Sequence, residues 1–246
     1  MAQPRDAPRA LVAWSGGKDA FLALGSAPAA GVRVVGLLTT ATEGTDRTTM
    51  HGVRLELVRA QARMLGLPLR VVDLPPDCVN EEYERRMREA MGAAAAEGVT
   101  HVVHGDIRLE DVRAFRDRRL AKAGLHGVYP LWGGRTDALA HRFLQGGHEA
   151  FVVCIDGDVL PASFAGRLYD DAFLADLPPG VDPCGEDGEF HTFVHASPVF
   201  RAPIPCRVGR RWSEGRFHRA DLVPGDVSSA PPRNPDLTGV PLHDGF

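Results

Sequence analysis

The sequence predicts an α/β fold, a doubly wound parallel five-stranded sheet in the order 3-2-1-4-5 with a smaller C-terminal α+β domain. Apolar runs typical of buried strands alternate with segments of helical periodicity through about residue 132. The first apolar run passes through two glycines directly into a helix-compatible segment, which is how a β–α unit begins. Nearer the C-terminus, two strand-like runs flank Glu214–Gly215 and predict an antiparallel hairpin.

The five expected parallel strands are apolar runs that lead into polar or glycine-containing turns, at residues 11–14, 32–40, 69–74, 99–103 and 127–132. Helices are expected after the first strand and between the others, over residues 53–65, 81–96 and 110–123. The second of these four helices keeps its apolar period with one polar interruption, Gln61. A helix from Thr136 and an apolar strand over 150–155 then precede the hairpin.

Ligands of a doubly wound sheet bind beyond the carboxyl ends of the strands, at the point where the strand order reverses. Strands one and four flank that point in the expected order. We therefore expect Ser15–Asp19 and His104–Asp106 to face each other, with the end of strand two, Leu38–Thr40, along the wall between them.

Composition narrows the classes of protein to consider. The chain has 246 residues, of which 44% are hydrophobic and 24% charged, as in an ordinary soluble globule. A net charge of −4 argues against a nucleic-acid partner. There is no apolar run of about 18 residues and no signal peptide, so the sequence predicts a cytoplasmic protein without membrane contact. The four cysteines occur singly, which excludes the paired-cysteine zinc and redox motifs.

The turn after the first strand, in the segment Ala10–Ala20, predicts a phosphate site. Two glycines permit close approach to the backbone, and the following helix points its positive end at the same place. Lys18, one of only two lysines in the chain, adds a mobile positive charge. The spacing matches neither the Walker nor the dinucleotide fingerprint. The alternative is a plain glycine turn.

A second motif, Asp182–Thr192, places four carboxylates, a histidine and a hydroxyl within eleven residues. Its spacing fits neither a calcium loop nor a zinc site. It is compatible with a magnesium ion held partly by substrate phosphates, because Mg²⁺ needs only one or two protein carboxylates. A solvated acidic turn is the alternative.

The turn SGGKDA at 15–20 resembles the SGGKDS signature of the PP-loop ATP pyrophosphatases, with Ala20 in place of the serine. Residues 10 to about 223 resemble, more specifically, the PP-loop family of the diphthine–ammonia ligases and their bacterial relatives. The further matching pieces are TTATEGTDRTTMHGV at 39–53, HGDIRLEDVR at 104–113, PLWG at 130–133, FAGRLYDDAF at 164–173 and DPCGEDGEFHTFV at 182–194.

This resemblance implies a PP-loop ATP-binding domain over residues 10–130 and a substrate-binding domain over 131–224, between a flexible N-terminus (1–9) and a flexible tail (225–246). It implies ATP and Mg²⁺ as cofactors, and cleavage of ATP to AMP and pyrophosphate. A carboxylate-bearing substrate would be adenylated and then converted to an amide by ammonia. The alternatives are a nucleotide-binding or sensing protein without turnover, and a PP-loop enzyme acting on a different substrate such as RNA. The sequence leaves the acceptor and the oligomeric state open, a homodimer included.

The site residues follow from the motifs. Nucleotide binding is expected from Ser15, Gly16, Gly17, Lys18, Asp19, Thr39, Thr40 and Gly105, with Gly105 giving the adenine or ribose close access to the backbone. Catalytic roles are expected for Lys18, Asp19, Asp106, Glu186, Glu189 and His191. Asp19 is the expected metal ligand. Glu186 and Glu189 are expected to bind a cationic group, and His191 to move a proton.

Overall fold

The computed structural model describes residues 6–225. Its first sheet contains β1 (Arg9–Ala13), β2 (Arg33–Thr42), β3 (Arg47–Thr48), β4 (Leu69–Leu74), β5 (His101–Val103) and β6 (His126–Val128). The five parallel strands lie in the order β4-β2-β1-β5-β6, which confirms the predicted order 3-2-1-4-5. The two-residue β3 was not foreseen and pairs antiparallel with the end of β2.

Four helices connect these strands: α1 (Lys18–Ser26), α2 (Leu55–Leu65), α3 (Asn80–Ala96) and α4 (Glu110–Lys122). Helix α2 ends at Leu65 and is followed by Gly66, whose φ of 68° forms a left-handed cap. The last parallel strand is shorter than expected, because residues 130–132 form a turn. The first begins two residues early, at Arg9, which pairs with Arg33 of β2.

The C-terminal part is a second, antiparallel sheet with two short-to-medium helices. It comprises α5 (Thr136–Gln145), β7 (Glu149–Asp156), α6 (Asp171–Ala175), β8 (Phe190–Ala196), β9 (Cys206–Glu214) and β10 (Phe217–Pro224). The strand order is β8-β7-β10-β9, and β9 and β10 form the predicted hairpin. The α+β expectation for this part is confirmed.

The two sheets share one apolar core. Trp14 and Phe21 from the first part belong to the same buried cluster as Phe193 and Phe200 from the second. The rings of Phe21 and Phe200 meet edge to face with centroids 5.4 Å apart. Strand β8 is thereby held against the turn that follows β1, where the amide of Val194 donates to the carbonyl of Gly16 at 2.9 Å.

A charged contact joins the two parts at their outer side. The carboxylate of Asp221 on β10 accepts from Arg47 at 2.9 Å and from Arg54 at 2.7 Å. Burial alone would raise the pKa of Asp221, but the hydrogen bonds from Arg54 and Arg47 lower it. Both arginines come from the segment around β3 and the start of α2, so this contact fixes the loop that leads to the site.

Two predictions remain to be compared with the structure: flexible chain ends and the absence of a membrane-spanning segment. The flexibility predicted for residues 1–9 and 225–246 falls mostly on residues 1–5 and 226–246, which lie outside the described part of the structure. Within residues 6–225, no helix is both long enough and apolar enough to cross a bilayer.

Candidate active site

The turn between β1 and α1 is enclosed by protein on two sides. Gly16 has a φ of 79°, and a Cβ there would lie 2.7 Å from Oε1 of Gln61. A Cβ on Gly17 would lie 3.0 Å from the carbonyl oxygen of Thr192 on β8. Both glycines are therefore required by tertiary packing as well as by the turn itself, because a side chain at either place meets α2 or the second sheet.

Gln61 of α2 is hydrogen-bonded to the turn. Its side chain is fully buried, its Oε1 accepts from the Trp14 indole at 2.9 Å, and its Nε2 donates to the carbonyls of Gly16 and Val194 at 2.9 and 2.8 Å. This side chain satisfies all its partners, as a buried amide must. Its only signal in the sequence was a polar residue interrupting the apolar face of α2.

Two backbone amides of the turn bond to hydroxyl groups. Gly17 donates to Oγ of Ser15 at 3.2 Å, and Lys18 donates to Oγ1 of Thr192 at 3.0 Å. These amides belong to the N-terminal end of α1, where backbone donors lack partners within the helix and attract anions. Thr192 was missed as a site residue, although it is the last residue of the acidic motif. Its hydroxyl, from strand β8 of the second sheet, adds a side-chain contact to the glycine turn.

Lys18 does not provide the mobile charge that the sequence predicted. Its side chain is only 2% exposed, and its ammonium donates to Asp19 at 3.0 Å and to the carbonyl of Cys184. It also lies 5.0 Å from the ring centre of Phe190 and 5.5 Å from that of Tyr169. Burial is the largest single influence on the pKa of Lys18 and lowers it, but the nearby acidic groups, Asp19 first among them, and the hydrogen bond to Asp19 together raise that pKa above its usual value. The ammonium thus stays charged and joins α1 to the second part of the chain.

Asp19 divides its two carboxylate oxygens between different environments. Oδ2 accepts from Lys18, whereas Oδ1 is buried and has no hydrogen-bond partner within residues 6–225. In the same range, no group of three or more histidine, cysteine or acidic side chains is placed to cage a metal ion. A magnesium ion held by one carboxylate and by phosphate oxygens needs no such cage. Asp19 therefore fits the predicted metal ligand.

Gly105 lies where the sequence placed it but contacts something else. The end of β5 meets the start of α1, as expected from the strand order, and a Cβ on Gly105 would lie 2.8 Å from the carbonyl carbon of Asp19 and 2.9 Å from the amide of Ala20. The close neighbour of Gly105 on that side is the backbone of α1, and contact with an adenine or ribose stays a prediction. The glycine therefore serves to bring two loops of the site together.

We expect Gly105→Ala to lower the free energy of unfolding by about 1–3 kcal/mol, because the new methyl group overlaps with backbone that cannot rotate away. The same shift displaces the first turn of α1 and should weaken ATP binding. Chemical denaturation and calorimetric titration measure the two effects. Gly25→Ala is the matched control, since Gly25 lies in α1 with open space around it. That change should stabilise the protein by about 0.5–1 kcal/mol, and a similar gain at Gly105 would contradict the packing argument.

In the acidic motif Asp182–Thr192, Glu186 and Glu189 accept hydrogen bonds from backbone amides. Glu189 is buried, and its two oxygens accept from the amides of Asp182 and Asp187, each at 3.0 Å. Glu186 accepts from the amides of Ile107 and Arg108 at 2.8 and 3.1 Å. Burial raises the pKa of Glu186 despite these donors. Both oxygens of Glu189 thus stabilise the loop, and the binding of a cationic group by Glu186 and Glu189 stays a prediction.

Asp106 forms an ion pair with Arg116. Asp106 is bound by Arg116 of α4, with Nε 2.9 Å from Oδ2 and a second nitrogen 3.2 Å from Oδ1. Arg113, at the end of the segment 104–113, lies over the rings of Tyr129 and Trp132 at 4.8 and 4.5 Å. In this structure Asp106 positions α4 and faces a guanidinium, so a direct catalytic role has no support from its contacts.

The end of β2 lies beside β1 as predicted. Thr39 is buried, and the hydroxyl of Thr40 shares a short hydrogen bond with that of Thr49. The amide of Trp14 donates to the carbonyl of Leu38 at 2.7 Å, which sets the two strand ends side by side. Glu43, further along, is paired with Arg86 at 3.0 Å. The two threonines thus lie at the end of β2, next to the end of β1, and their contact with a nucleotide stays a prediction, while Glu43 belongs to an ion pair.

His191 stacks on His51, with ring centres 4.3 Å apart and planes within 15°. Burial, with the charges of Lys18 and Arg219, lowers the pKa of His191 to about 4. Burial and the neighbouring His191 lower the pKa of His51 well below its usual value. Both rings are neutral at pH 7. The expected role of His191 as a proton shuttle is not favoured, because a base of this pKa is poorly matched to neutral pH.

The stacked pair makes stability depend on pH. The unfolded chain protonates His191 near pH 6.5 and the folded chain near pH 4, so the unfolded state binds more protons between those values. We therefore expect stability to fall as the pH is lowered through this window, and to fall less steeply in His191→Gln. Urea denaturation across the window measures both slopes, with values above about pH 7 as the reference. Parallel slopes for the two proteins would contradict the assignment.

Two family models match this chain. The model described as the diphthamide synthase N-terminal domain matches residues 8–127, and that described as the diphthamide synthase C-terminal domain matches residues 135–220. A comparison with curated proteins found no match. The two matched ranges span the parallel sheet with its SGGK turn and the antiparallel sheet with the acidic motif. PP-loop proteins of this kind use ATP, usually with Mg²⁺. The chain belongs to the diphthamide synthase family.

Proposed function

We propose that the protein is an ATP-dependent ligase that cleaves ATP to AMP and pyrophosphate, adenylates a carboxylate and passes the acyl group to ammonia. One observation carries this proposal. The amide donors of Gly17 and Lys18 at the start of α1 directly precede Asp19, whose Oδ1 is buried and has no partner in the described part of the chain. Such amides bind phosphate, and such an oxygen suits a cation that phosphate also holds.

The chemistry requires two displacements. An oxygen of the substrate carboxylate attacks the α-phosphorus of ATP, the bond from that phosphorus to the oxygen bridging to the β-phosphate breaks, and pyrophosphate leaves. Ammonia then attacks the acyl carbon of the mixed anhydride, the bond from that carbon to the AMP oxygen breaks, and the nitrogen loses a proton. Adenylation is needed because the carboxylate oxygen by itself is a poor leaving group.

The residues of the turn divide the work in the first step. The amides of Gly17 and Lys18 donate to phosphate oxygens, in place of the hydroxyls that they bond in the present structure. Asp19 would hold magnesium, which supplies neutralisation of phosphate charge when bound. Lys18 contacts Asp19 and Cys184 and acts by positioning, because its ammonium is enclosed by protein.

The second sheet contributes the acceptor side of the site. Strand β8 places Thr192 against the phosphate turn and His191, one residue earlier, against His51. A neutral imidazole donates or accepts a hydrogen bond without adding charge to the site. The two histidines therefore suit contact with an acyl substrate better than transfer of a proton.

The experiment is incubation with α-labelled ATP, Mg²⁺, ammonia and a panel of carboxylates. We expect labelled AMP and unlabelled pyrophosphate in equal amounts, with an amide formed only when carboxylate and ammonia are both present. Consistent release of ADP would overturn the proposal. Omission of ammonia separates the steps, because adenylation alone releases pyrophosphate without amide.

A second candidate is a nucleotide-binding protein without turnover. Two observations favour it: the ammonium of Lys18 is enclosed by its contacts with Asp19 and Cys184, and the pKa of His191 is about 4, which is poorly matched to general-base catalysis at neutral pH. Calorimetry with ATP and AMP distinguishes the candidates. Tight ATP binding without release of pyrophosphate, under every condition of the ligase assay, would replace the first proposal by this one.

A further inference from the structure

Helices α3 and α4 leave a groove between them that is separate from the phosphate turn. The groove encloses a cavity of about 70 Å³, lined on the α3 side by Tyr83, Met87 and Met91 and on the α4 side by Phe115 and Leu120. None of residues 15–19 lines it. Phe115 is 42% exposed, which is unusual for a large apolar ring and marks the open mouth of the groove.

His104 lines the same cavity, and its ring is unsatisfied. The residue is 5% exposed, and neither Nδ1 nor Nε2 has a hydrogen-bond partner among residues 6–225. Its ring stacks on Tyr129 with centres 5.4 Å apart. Burial and the charge of Arg116 lower the pKa of His104 well below its usual value, so the neutral ring has one donor and one acceptor. A buried polar group without a partner costs stability, so a ligand group in the cavity would relieve that cost.

The rim of the groove is positively charged. Four cations line it, Arg88, Arg116, Arg119 and Lys122, against one carboxylate, Glu84. Arg116 is paired with Asp106, but the other three form no ion pair with any residue of the described part. Arg119 lies over the rings of Tyr83 and Phe115 at 4.4 and 5.0 Å. Its guanidinium lies close to two aromatic rings at the mouth and forms no ion pair within the described residues, so its N–H groups are available to an anion.

We propose that this groove binds a small organic anion with one flat apolar ring, of the aryl carboxylate class. A cavity of about 70 Å³ has room for on the order of five water molecules, which matches a single substituted ring. The ring packs between Met87, Met91 and Leu120. The carboxylate accepts from Arg119 and from the donor nitrogen of His104. Neither an uncharged ring nor a simple inorganic anion satisfies both parts of the groove.

Benzoate is the probe, and benzyl alcohol is its uncharged counterpart of similar shape. Each is titrated into the full chain, in buffer without phosphate, while NMR follows the ring signals of His104 and the methyl signals of Met87 and Met91. We expect saturable benzoate binding with a Kd on the order of 1 mM, as small ligands of this size give. Binding should shift both sets of signals. Benzyl alcohol should bind roughly tenfold more weakly, because it lacks the charge-assisted hydrogen bond.

Two arginine variants on the same helix complete the test. Arg119→Gln should weaken benzoate binding roughly tenfold, since it removes the charge at the mouth. Arg118→Gln makes the same change at an exposed position that does not line the groove, and should leave the Kd unchanged. Absence of saturable binding, equal affinity for benzyl alcohol, or equal loss in the two variants would each overturn the proposal.

Discussion

Lys18→Met is expected to lower the free energy of unfolding by about 3 kcal/mol, near the lower end of what breaking a buried ion pair costs. The side chain keeps its length but loses the ammonium that joins Asp19 of α1 to the carbonyl of Cys184. Asp19 and that carbonyl then remain without their donor. The lower end of the range applies because the side chain of Asp19 is 30% exposed and can gain some hydration. Chemical denaturation measures the loss.

The chain supplies its own control for this result. Lys122 is the only other lysine, it lies at the exposed end of α4, and Lys122→Met should change stability by less than about 0.5 kcal/mol. The double variant of Lys18→Met with Asp19→Asn should be less destabilised than the two single changes added together, because it leaves no buried charge unpaired. A lysine that served as a mobile phosphate ligand would behave differently. Its loss would leave stability unchanged and reduce only ATP affinity.

Asp19→Asn is expected to reduce the rate of pyrophosphate formation roughly 100-fold or more, which is the size of effect seen when one charge-stabilising group is removed. Asparagine keeps an oxygen at the position but removes its negative charge. The loss should therefore be accompanied by a higher Mg²⁺ requirement for ATP binding. Calorimetric titration of ATP with and without Mg²⁺ measures that requirement independently of turnover.

Asp111→Asn is the matched control for Asp19. Asp111 is also an acid in the first turn of a helix, α4, and its side chain is exposed away from the phosphate turn. It should leave both the rate and the Mg²⁺ requirement unchanged. Denaturation curves for Asp19→Asn are needed alongside, since this change also weakens the partner of Lys18. A folded Asp19→Asn protein with wild-type Mg²⁺ dependence would rule out Asp19 as the metal ligand.

Most of the fold could be predicted from local patterns. Alternating strand-like and helical periodicity predicted the parallel sheet, and Gly66 marks the end of α2. The turn residues Glu214–Gly215 predicted the hairpin of β9 and β10. These features depend on the backbone and on residues close in sequence. Strand β3 was not predicted, because two residues carry no periodicity of their own and their pairing depends on the loop folding back onto β2.

The candidate site could be located but not assembled from the sequence. The motifs identified the turn at residues 15–19 and the loop at 104–106, and the strand order brought them together. The contacts of Gln61, Thr192 and Glu189 involve partners that the sequence pattern does not name. Glu189 is the clearest example. The sequence of an acidic motif is the same whether the carboxylate oxygens bind a ligand or accept from backbone amides, as those of Glu189 do.

The sequence by itself predicted a PP-loop-like glycine turn and a doubly wound sheet, because glycine spacing and periodicity are local properties. Tertiary structure alone decided what the side chains of the turn do. Lys18 lies within the glycine turn motif, yet the C-terminal part of the chain covers it and supplies the carbonyl of Cys184 and the rings of Tyr169 and Phe190. Its neighbour Asp19 pairs with the ammonium, but the burial of that pair depends on these residues, which lie more than 150 positions away.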